Sequence, residues 1–336
     1  MRKLIIVIAF IFSITHTLAQ EAPKTIKQDS LIVELPDSLT AKQKRQYLLK
    51  QAKTRDDSLK IGFWKPKNSQ FGINFSQASF NNWQGGGINS WSVGALFNKR
   101  SEFYKNKGSF IGDIQLQLGT VNNLGQRPAK SIDRLFMEAK YSHKINPRIN
   151  WFGTINFLTQ FADGVVYEND GQPTEQRRTI SGFLAPGYLS EGFGVEYKPV
   201  SYFVVQLGGA TVRQTFVLSK SVFRDFTEFN KTEEAYGVVD GKNVLTEIGF
   251  QVIAAFDKDV FKNVNLKCRY QAFQAYTAKK GLPNTNTIDH NINLIATAKV
   301  NRYLNVNFTL LAIYDKDQID KFQISQAFAA GLLFKL

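Results

Sequence analysis

What this sequence lacks already excludes disulfides and long apolar helices. Its 336 residues include one cysteine, Cys268, so neither an intramolecular disulfide nor a cysteine-based metal site is available. No run of 18 apolar residues follows the first twenty positions, so we expect no membrane-spanning helix there. Backbone hydrogen bonds and side-chain burial must therefore hold the fold together.

The first nineteen residues have the order of a secretory signal peptide. Arg2 and Lys3 precede an apolar run from Leu4 to Ile14, and small residues end the segment at Thr17-Leu18-Ala19. The run is shorter than the ~20 apolar residues that a membrane-spanning helix needs. We therefore predict cleavage after Ala19 and export of the chain. Because no cysteine follows that cut, a lipoprotein anchor is not expected.

Basic residues outnumber acidic ones. The formal net charge is +14, and it falls to +12 when Arg2 and Lys3 leave with the signal peptide. An exported protein rarely meets nucleic acid, so we expect no nucleic-acid partner. Acidic headgroups of outer-membrane lipid and lipopolysaccharide are the expected neighbours of this charge.

Residues 20–69 differ in composition from the rest, being polar, basic and poor in aromatics. We predict a periplasmic lead-in that is partly helical or disordered, with one short helix within 41–53. Its charges are typical of a solvated surface. The lead-in is also the candidate contact for a periplasmic partner.

From residue 70 to residue 336 the hydrophobic pattern has a period of two. Within 290–300, for example, Ile292, Leu294 and Ala296 alternate with Asn291 and Asn293. Such alternation is typical of β-strands. It predicts twelve strands, at 70–79, 88–99, 108–119, 131–145, 149–161, 179–197, 200–213, 243–257, 263–277, 288–300, 303–315 and 320–336.

The connections between these strands alternate in length. Short ones follow the even-numbered strands, as at 146–148 and 198–199. Most of those after odd-numbered strands are long: 119–130, 162–178, 214–242 and 277–287. Short turns on one side and long loops on the other are typical of an outer-membrane barrel.

A soluble barrel would alternate too, so further features must decide between the two. Charged and amide side chains stand at mid-strand, where a small soluble core could not hold them unpaired. The segments match the ~9–11 residues of a membrane strand better than the ~5–6 of a soluble one. The chain also ends in the alternating, aromatic-bearing FAAGLLFKL. We predict an all-β fold, a transmembrane antiparallel up-and-down barrel over 70–336, inserted by the barrel-assembly machinery.

Strand parity assigns an interior to this barrel. The candidates for lining the lumen are Asp113, Gln115, Gln117, Arg134, Glu138, Lys140, Asn156, Gln160, Glu247, Gln251, Lys267 and Arg269. They indicate either an aqueous lumen that filters solutes by charge and size, or a network of ion pairs and amides that fills a narrow bore. Twelve strands give a bore between those of filled and open barrels.

Catalysis finds little support in the sequence. The predicted mature chain has two histidines, His143 and His290, and neither stands in a nucleophile or base motif. Asp289 and Asn291 flank His290 but point to the opposite face of its strand. We therefore expect interface histidines, no enzyme, no cofactor and no metal site.

One short stretch breaks the alternation, at Asn81, Asn82, Trp83, Gln84, Gly85, Gly86 and Gly87. Glycines permit turns with φ > 0 and close backbone approach. We predict an external tip whose Trp83 anchors at the membrane interface. It either packs at the barrel mouth or contacts a ligand or partner.

Two motifs carry a family resemblance. NFSQASFNNWQGGGINSWSVGALFN at 74–98 resembles the N-terminal signature of a Bacteroidota family called domain of unknown function 3078, and SGFLAPGYLSEGFGVEYKP at 181–199 and TFV at 215–217 fit the same pattern. The resemblance runs from about Phe71 to the C-terminus. It implies an exported, outer-membrane β-barrel of Bacteroidota and no particular activity. The chain departs from the pattern at Ile132-Asp133-Arg134, where members of the family carry an acidic pair.

Three functions are compatible with this sequence. The first is a narrow solute channel or transporter with a polar, charge-lined lumen. The second is a structural or partner-binding barrel without transport. The third is a lipid-active barrel enzyme that uses His290.

Overall fold

The computed structural model describes residues 39–51, 55–65, 68–79, 89–168, 176–223, 234–276, 288–301, 303–316 and 319–335. Two helices precede the strands, α1 at Ala41–Gln51 and α2 at Arg55–Ile61. Helix α1 begins with a capping box, because the Thr40 amide donates to Gln43 Oε1 (2.9 Å) and the Gln43 amide donates back to Thr40 Oγ1 (3.4 Å).

None of the described helices is long and apolar enough to cross a membrane.

Twelve long antiparallel strands form one closed ring. Each strand pairs with the strands before and after it in the chain, and the last closes on the first, with Phe334 opposite Phe71. The strands are β1 Asn68–Ala78, β2 Ser90–Lys105, β3 Gly108–Asn123, β4 Ala129–Lys144, β5 Ile149–Thr159, β6 Gly187–Val200, β7 Phe203–Phe216, β8 Val244–Phe261, β9 Val264–Ala275, β10 Asp289–Lys299, β11 Leu304–Asp315 and β12 Ile319–Lys335. The predicted twelve-stranded up-and-down barrel is confirmed.

Several predicted boundaries were wrong; the strands predicted at 88–99 and 243–257, for example, end at Lys105 and Phe261. Residues 179–197 form not one strand but the end of a small hairpin, Gly164–Glu168 with Gln176–Ser181, followed by β6. The break is a tight turn, in which the Gly182 amide donates to the Ala185 carbonyl at 2.7 Å and Leu184 has a φ of 55°. The connection expected at 119–130 shrinks to 124–128, because β3 and β4 extend their pairing beyond the predicted ends.

The outer surface of the ring is apolar and the inner surface is polar. Large apolar side chains are exposed on several strands of the ring, at Ile73, Phe193, Val195, Leu207, Ile248, Phe250, Ile324 and Leu332. A soluble protein would not expose such an area, whereas a membrane barrel carries an apolar band of this kind. The ring is therefore a transmembrane barrel.

Aromatic side chains flank this band near both ends of the barrel. Towards the end with the long loops, Tyr270, His290, Tyr314 and Phe322 follow one another across β9–β12, with neighbouring ring centroids 5.2–6.3 Å apart. Towards the other end, Trp151 contacts Tyr141, His143 and Phe193 at 5.4–6.0 Å. Aromatic girdles of this kind lie at the two membrane–water interfaces.

The end with the long loops has a small core of its own. Ala185, Val217, Val222, Phe223 and Val238 are buried together above the strands. Tyr236 packs against them and donates its hydroxyl to the Ile180 carbonyl at 2.7 Å. Burial raises the pKa of Tyr236, so the phenol stays a hydrogen-bond donor.

The helices pack at the opposite rim. Phe63–Trp64, a two-residue strand, pairs with the end of β2 at Phe103 and Tyr104. The Asn106 amide donates to the Leu59 carbonyl of α2 at 2.8 Å, which ties the helix to the β2–β3 turn. From α1, the guanidinium of Arg45 lies 5.3 Å from the ring centre of Phe103.

Candidate functional site: the barrel lumen

A cavity of about 1040 Å³ runs along the inside of the barrel. Tyr236 and Asp315 line it at the end with the long loops, and Asp259 and Lys299 line it at the end with the short turns. Because both ends of the barrel contribute to one cavity, it is the candidate functional site. Its walls differ in chemistry from one side to the other.

A network of charged and amide side chains lies inside the barrel on β2, β3 and β4, and its Arg134 lines the cavity. Arg100 pairs with Glu102 at 2.7 Å and with Asp113 at 3.3 Å. Gln115 donates to Asp113 at 3.3 Å and accepts from Nη1 of Arg134 at 2.6 Å. Charge-assisted hydrogen bonds thus link β2 to β3 and β3 to β4.

One ion pair crosses the bore. Nη2 of Arg269 lies 3.4 Å from Oε2 of Glu138. Arg269 is on β9 and Glu138 on β4, and these strands are five places apart in a ring of twelve. The contact therefore joins nearly opposite walls and narrows the lumen near its middle.

The facing wall, on β9, β10 and β11, combines amides with charged and apolar side chains. Its cavity-lining members include Gln271, Asn291, Asn293, Asn305 and Asn307. Oδ1 of Asn293 and Oδ1 of Asn305 are buried with no hydrogen-bond partner among the described residues. Amide groups with spare acceptors can bind water or a hydroxylated solute.

A buried ionic cluster lies in the barrel near the rim with the short turns. Glu196 is fully buried and pairs with Lys140 at 2.6 Å and with Lys198 at 2.8 Å. Asn150 and Gln206, on the two strands beside β6, donate to the same carboxylate at 3.0 and 2.7 Å. All four partners of Glu196 are charged or amide donors, so this buried charge is compensated.

A second cluster lies at the opposite end. Arg213 pairs with Glu247 at 2.8 Å and with Asp289 at 2.6 Å. Its guanidinium stacks 4.1 Å from the ring centre of the buried Phe273. Arg213 joins β7, β8, β9 and β10 near their outer ends, which fixes the mouth of the barrel.

The structure distributes the predicted lumen residues among these groups. Gln117, Arg134, Asn156, Gln160, Lys267 and Arg269 line the cavity. Asp113, Gln115 and Glu138 take part in the central network, Lys140 in the Glu196 cluster and Glu247 in the Arg213 cluster. Gln251 is buried beside Gly208, whose position Thr211 also crowds.

Sequence reasoning missed Arg100, Glu196 and Arg213. Glu196 lies between the exposed Val195 and Tyr197, so alternation alone could have found it. Arg213 is different, because a bulge between Gly208 and Thr211 shifts the register of β7. The shift changes which alternate residues face inwards, and a strict period of two then misplaces the end of the strand.

The other sequence predictions concern the tip and the two histidines, of which His290 also lines the cavity. The tip Asn81–Gly87 lies outside the described residues. Nδ1 of His290 is 2.8 Å from the hydroxyl of Tyr270, and His143 stacks on Trp151. Both histidines thus contact aromatic residues of the two girdles, and in the described part of the chain neither contacts a serine or threonine nucleophile.

The comparisons with known proteins give no activity. A family model described as protein of unknown function (DUF3078) matches residues 75–165. No curated protein sequence matches the chain.

Several solved membrane barrels match the chain at low similarity. The translocator domain of the autotransporter NalP from Neisseria meningitidis is 10% identical, with a TM-score of 0.35 over 80% of this chain and 87% of that one. The NanC porin is 7% identical, with a TM-score of 0.36 over 80% of this chain and 100% of that one. An outer membrane channel from Pseudomonas putida F1 is 10% identical, with a TM-score of 0.34 over 80% and 95%.

Proposed function

We propose that this protein is an exported outer-membrane channel of Bacteroidota that lets small hydrophilic solutes pass through its lumen. The observation that carries the proposal is the cavity of about 1040 Å³, lined by residues from both ends of the barrel. The match of residues 75–165 to the DUF3078 model supports the family origin. The signal-peptide pattern of residues 1–19 supports export.

The chemistry of the walls favours hydrated solutes. Amide and charged side chains line much of the cavity, so a solute that leaves water finds replacement hydrogen bonds there. The bore is narrow near its middle, where Arg269 meets Glu138. We therefore expect a small conductance and exclusion of large solutes.

A second candidate function is a partner-binding barrel without transport. The same Arg269–Glu138 contact favours it, because an ion pair that joins opposite walls also obstructs the lumen. In this alternative, the packed loops at one rim and the helices at the other would provide the binding surfaces.

Planar-bilayer recording of the refolded chain from Gln20 distinguishes the two functions. Heat-modifiable migration on a gel first establishes that the barrel has folded. We expect steady single-channel current, and we expect the Lys267→Gln and Arg269→Gln variants to change its size. Lys267 and Arg269 both line the cavity, so neutralising either alters the charge along the path.

A folded barrel that carries no current under any condition would overturn the channel proposal and favour the partner-binding function. Val300→Gln is the matched control, because Val300 is 59% exposed at a turn and is an apolar residue off the path. Its conductance should equal that of the unmodified protein. A changed conductance in this control would mean that the Lys267 and Arg269 effects do not report on the lumen.

A further inference from the structure

The charges that line the cavity balance in number but not in pairing. Five basic residues line it, and so do five acidic ones: Arg134, Arg213, Lys267, Arg269 and Lys299 against Asp133, Asp257, Asp259, Asp289 and Asp315. Arg213, Lys267 and Arg269 each have a carboxylate within 4 Å. Arg134 and Lys299 have no carboxylate at that distance among the described residues.

Arg134 is the leftover group in the middle of the lumen. Within the described residues its guanidinium has no carboxylate partner, and its hydrogen bond goes to the neutral amide oxygen of Gln115 at 2.6 Å. The ring of Phe136 lies 4.8 Å from the guanidinium carbon and covers one side of it. An arginine has five N–H donors, so most of its binding capacity is unused.

Nearby carboxylates are already engaged. Asp113 lies within electrostatic range of Arg134, but it is bound by Arg100 and by Gln115. Glu138 is bound by Arg269. Arg100 also binds Glu102, which in turn binds Lys65, so four basic groups face three carboxylates in this network and one positive charge is left uncompensated.

A second guanidinium adds to this surplus. Arg134 and Arg269 lie close enough for their charges to repel each other, and both line the cavity. Arg269 keeps 35% of its side-chain exposure, compared with 13% for Glu138, so the arginine is the more accessible partner of that pair. An anion between the two arginines would relieve the repulsion and satisfy the free donors.

We propose that Arg134 and Arg269 form an oxyanion-binding site at the constriction, for small solutes that carry a carboxylate or a phosphate group. The inference rests on the proposed channel function and names the solute class for it. Planar guanidinium groups match the geometry of both oxyanions. The amides of β10 and β11, such as Asn293 and Asn307, then face the remainder of the solute.

Binding is measured directly on the refolded protein in detergent, by titration calorimetry with sodium acetate, inorganic phosphate and, as a neutral solute, glucose. Acetate or phosphate should bind and glucose should not. The acetate and phosphate titrations show which of the two oxyanions the site prefers. Arg134→Gln should weaken this binding about tenfold, because it removes a charge-assisted contact. Arg134→Lys should recover part of it, since lysine keeps the charge but loses the planar fork.

Lys299→Gln is the matched control. Lys299 also lines the cavity, but it is exposed near the rim with the short turns. Its neutralisation removes the same charge from the lumen and should leave oxyanion affinity unchanged. Equal weakening by Lys299→Gln and Arg134→Gln would overturn the site, since it would mean that only the total lumen charge matters.

Calorimetry also separates this inference from the channel proposal. Conductance without oxyanion binding, or with binding that Arg134→Gln does not change, overturns the site and leaves the channel intact. Oxyanion binding that depends on Arg134 in a barrel without current supports the site and overturns the channel. Arg134 has no carboxylate partner to orphan, so we expect its variants to fold, and heat-modifiable migration checks this.

Discussion

At the scale of single residues, Glu196 carries the buried charge that matters most for the stability of the barrel. The carboxylate is fully buried and compensated by Lys140, Lys198, Asn150 and Gln206. A charge taken out of water is tolerated only when its partners remain in place. Glu196 therefore acts on stability through Lys140, whose side chain is 9% exposed, more than through the exposed Lys198.

Glu196→Gln should destabilise the barrel by about 3–5 kcal/mol, because it leaves the ammonium of Lys140 buried without a counter-charge. Lys198→Gln should cost less than about 1 kcal/mol, since the Lys198 side chain is 38% exposed and its ion pair is screened. Urea unfolding in lipid vesicles measures both. The Lys140→Met/Glu196→Gln double variant should regain part of the loss, and equal midpoints for the single variants would contradict the argument.

At the scale of elements, the register of β6 and β7 depends on close backbone approach. A Cβ at Gly194 would overlap the carbonyl oxygen of Leu207, just before the bulge in β7. Gly153, on the neighbouring strand β5, has nothing within 4 Å of the same position. Both glycines lie in strands, but only Gly194 is at a position where a side chain would collide with the neighbouring backbone.

Gly194→Ala should therefore cost about 1–3 kcal/mol, because the two strands must move apart to admit the methyl group. Gly153→Ala should be neutral or stabilising by up to about 1 kcal/mol, since alanine loses less backbone entropy than glycine on folding. The same vesicle unfolding assay measures the difference. A Gly194→Ala barrel as stable as Gly153→Ala would show that the approach is not needed.

The sequence predicted the strands better than it predicted the contacts between side chains. Alternation located all twelve strands, because each has one lipid-facing and one inward-facing row over 11–18 residues. It failed where the period breaks, at the turn of Gly182–Ala185 and at the Gly208 bulge. Pairs such as Arg269–Glu138 join residues 131 positions apart, so only closure of the ring brings them together, and no local pattern predicts them.

At the scale of the whole molecule, the barrel is inverted relative to a soluble protein, with charges inside and apolar residues outside. Leu294, at the middle of β10, pairs with Leu310 of β11, and the residues on either side of each leucine line the cavity. Val300 follows in the turn after β10 and is 59% exposed. Leu294 therefore lies at the centre of the apolar band, and Val300 lies at its edge in the same hairpin.

Leu294→Arg should consequently destabilise the barrel in lipid vesicles by about 2–4 kcal/mol, and Val300→Arg by about 0–1 kcal/mol, because the cost of a lipid-facing arginine depends on its depth. Urea unfolding of both variants in vesicles measures this gradient. The difference should shrink in short-chain detergent, where the arginine reaches water more easily. Equal costs at the two positions would contradict a bilayer-spanning orientation of β10, and with it the assignment of the apolar surface to lipid.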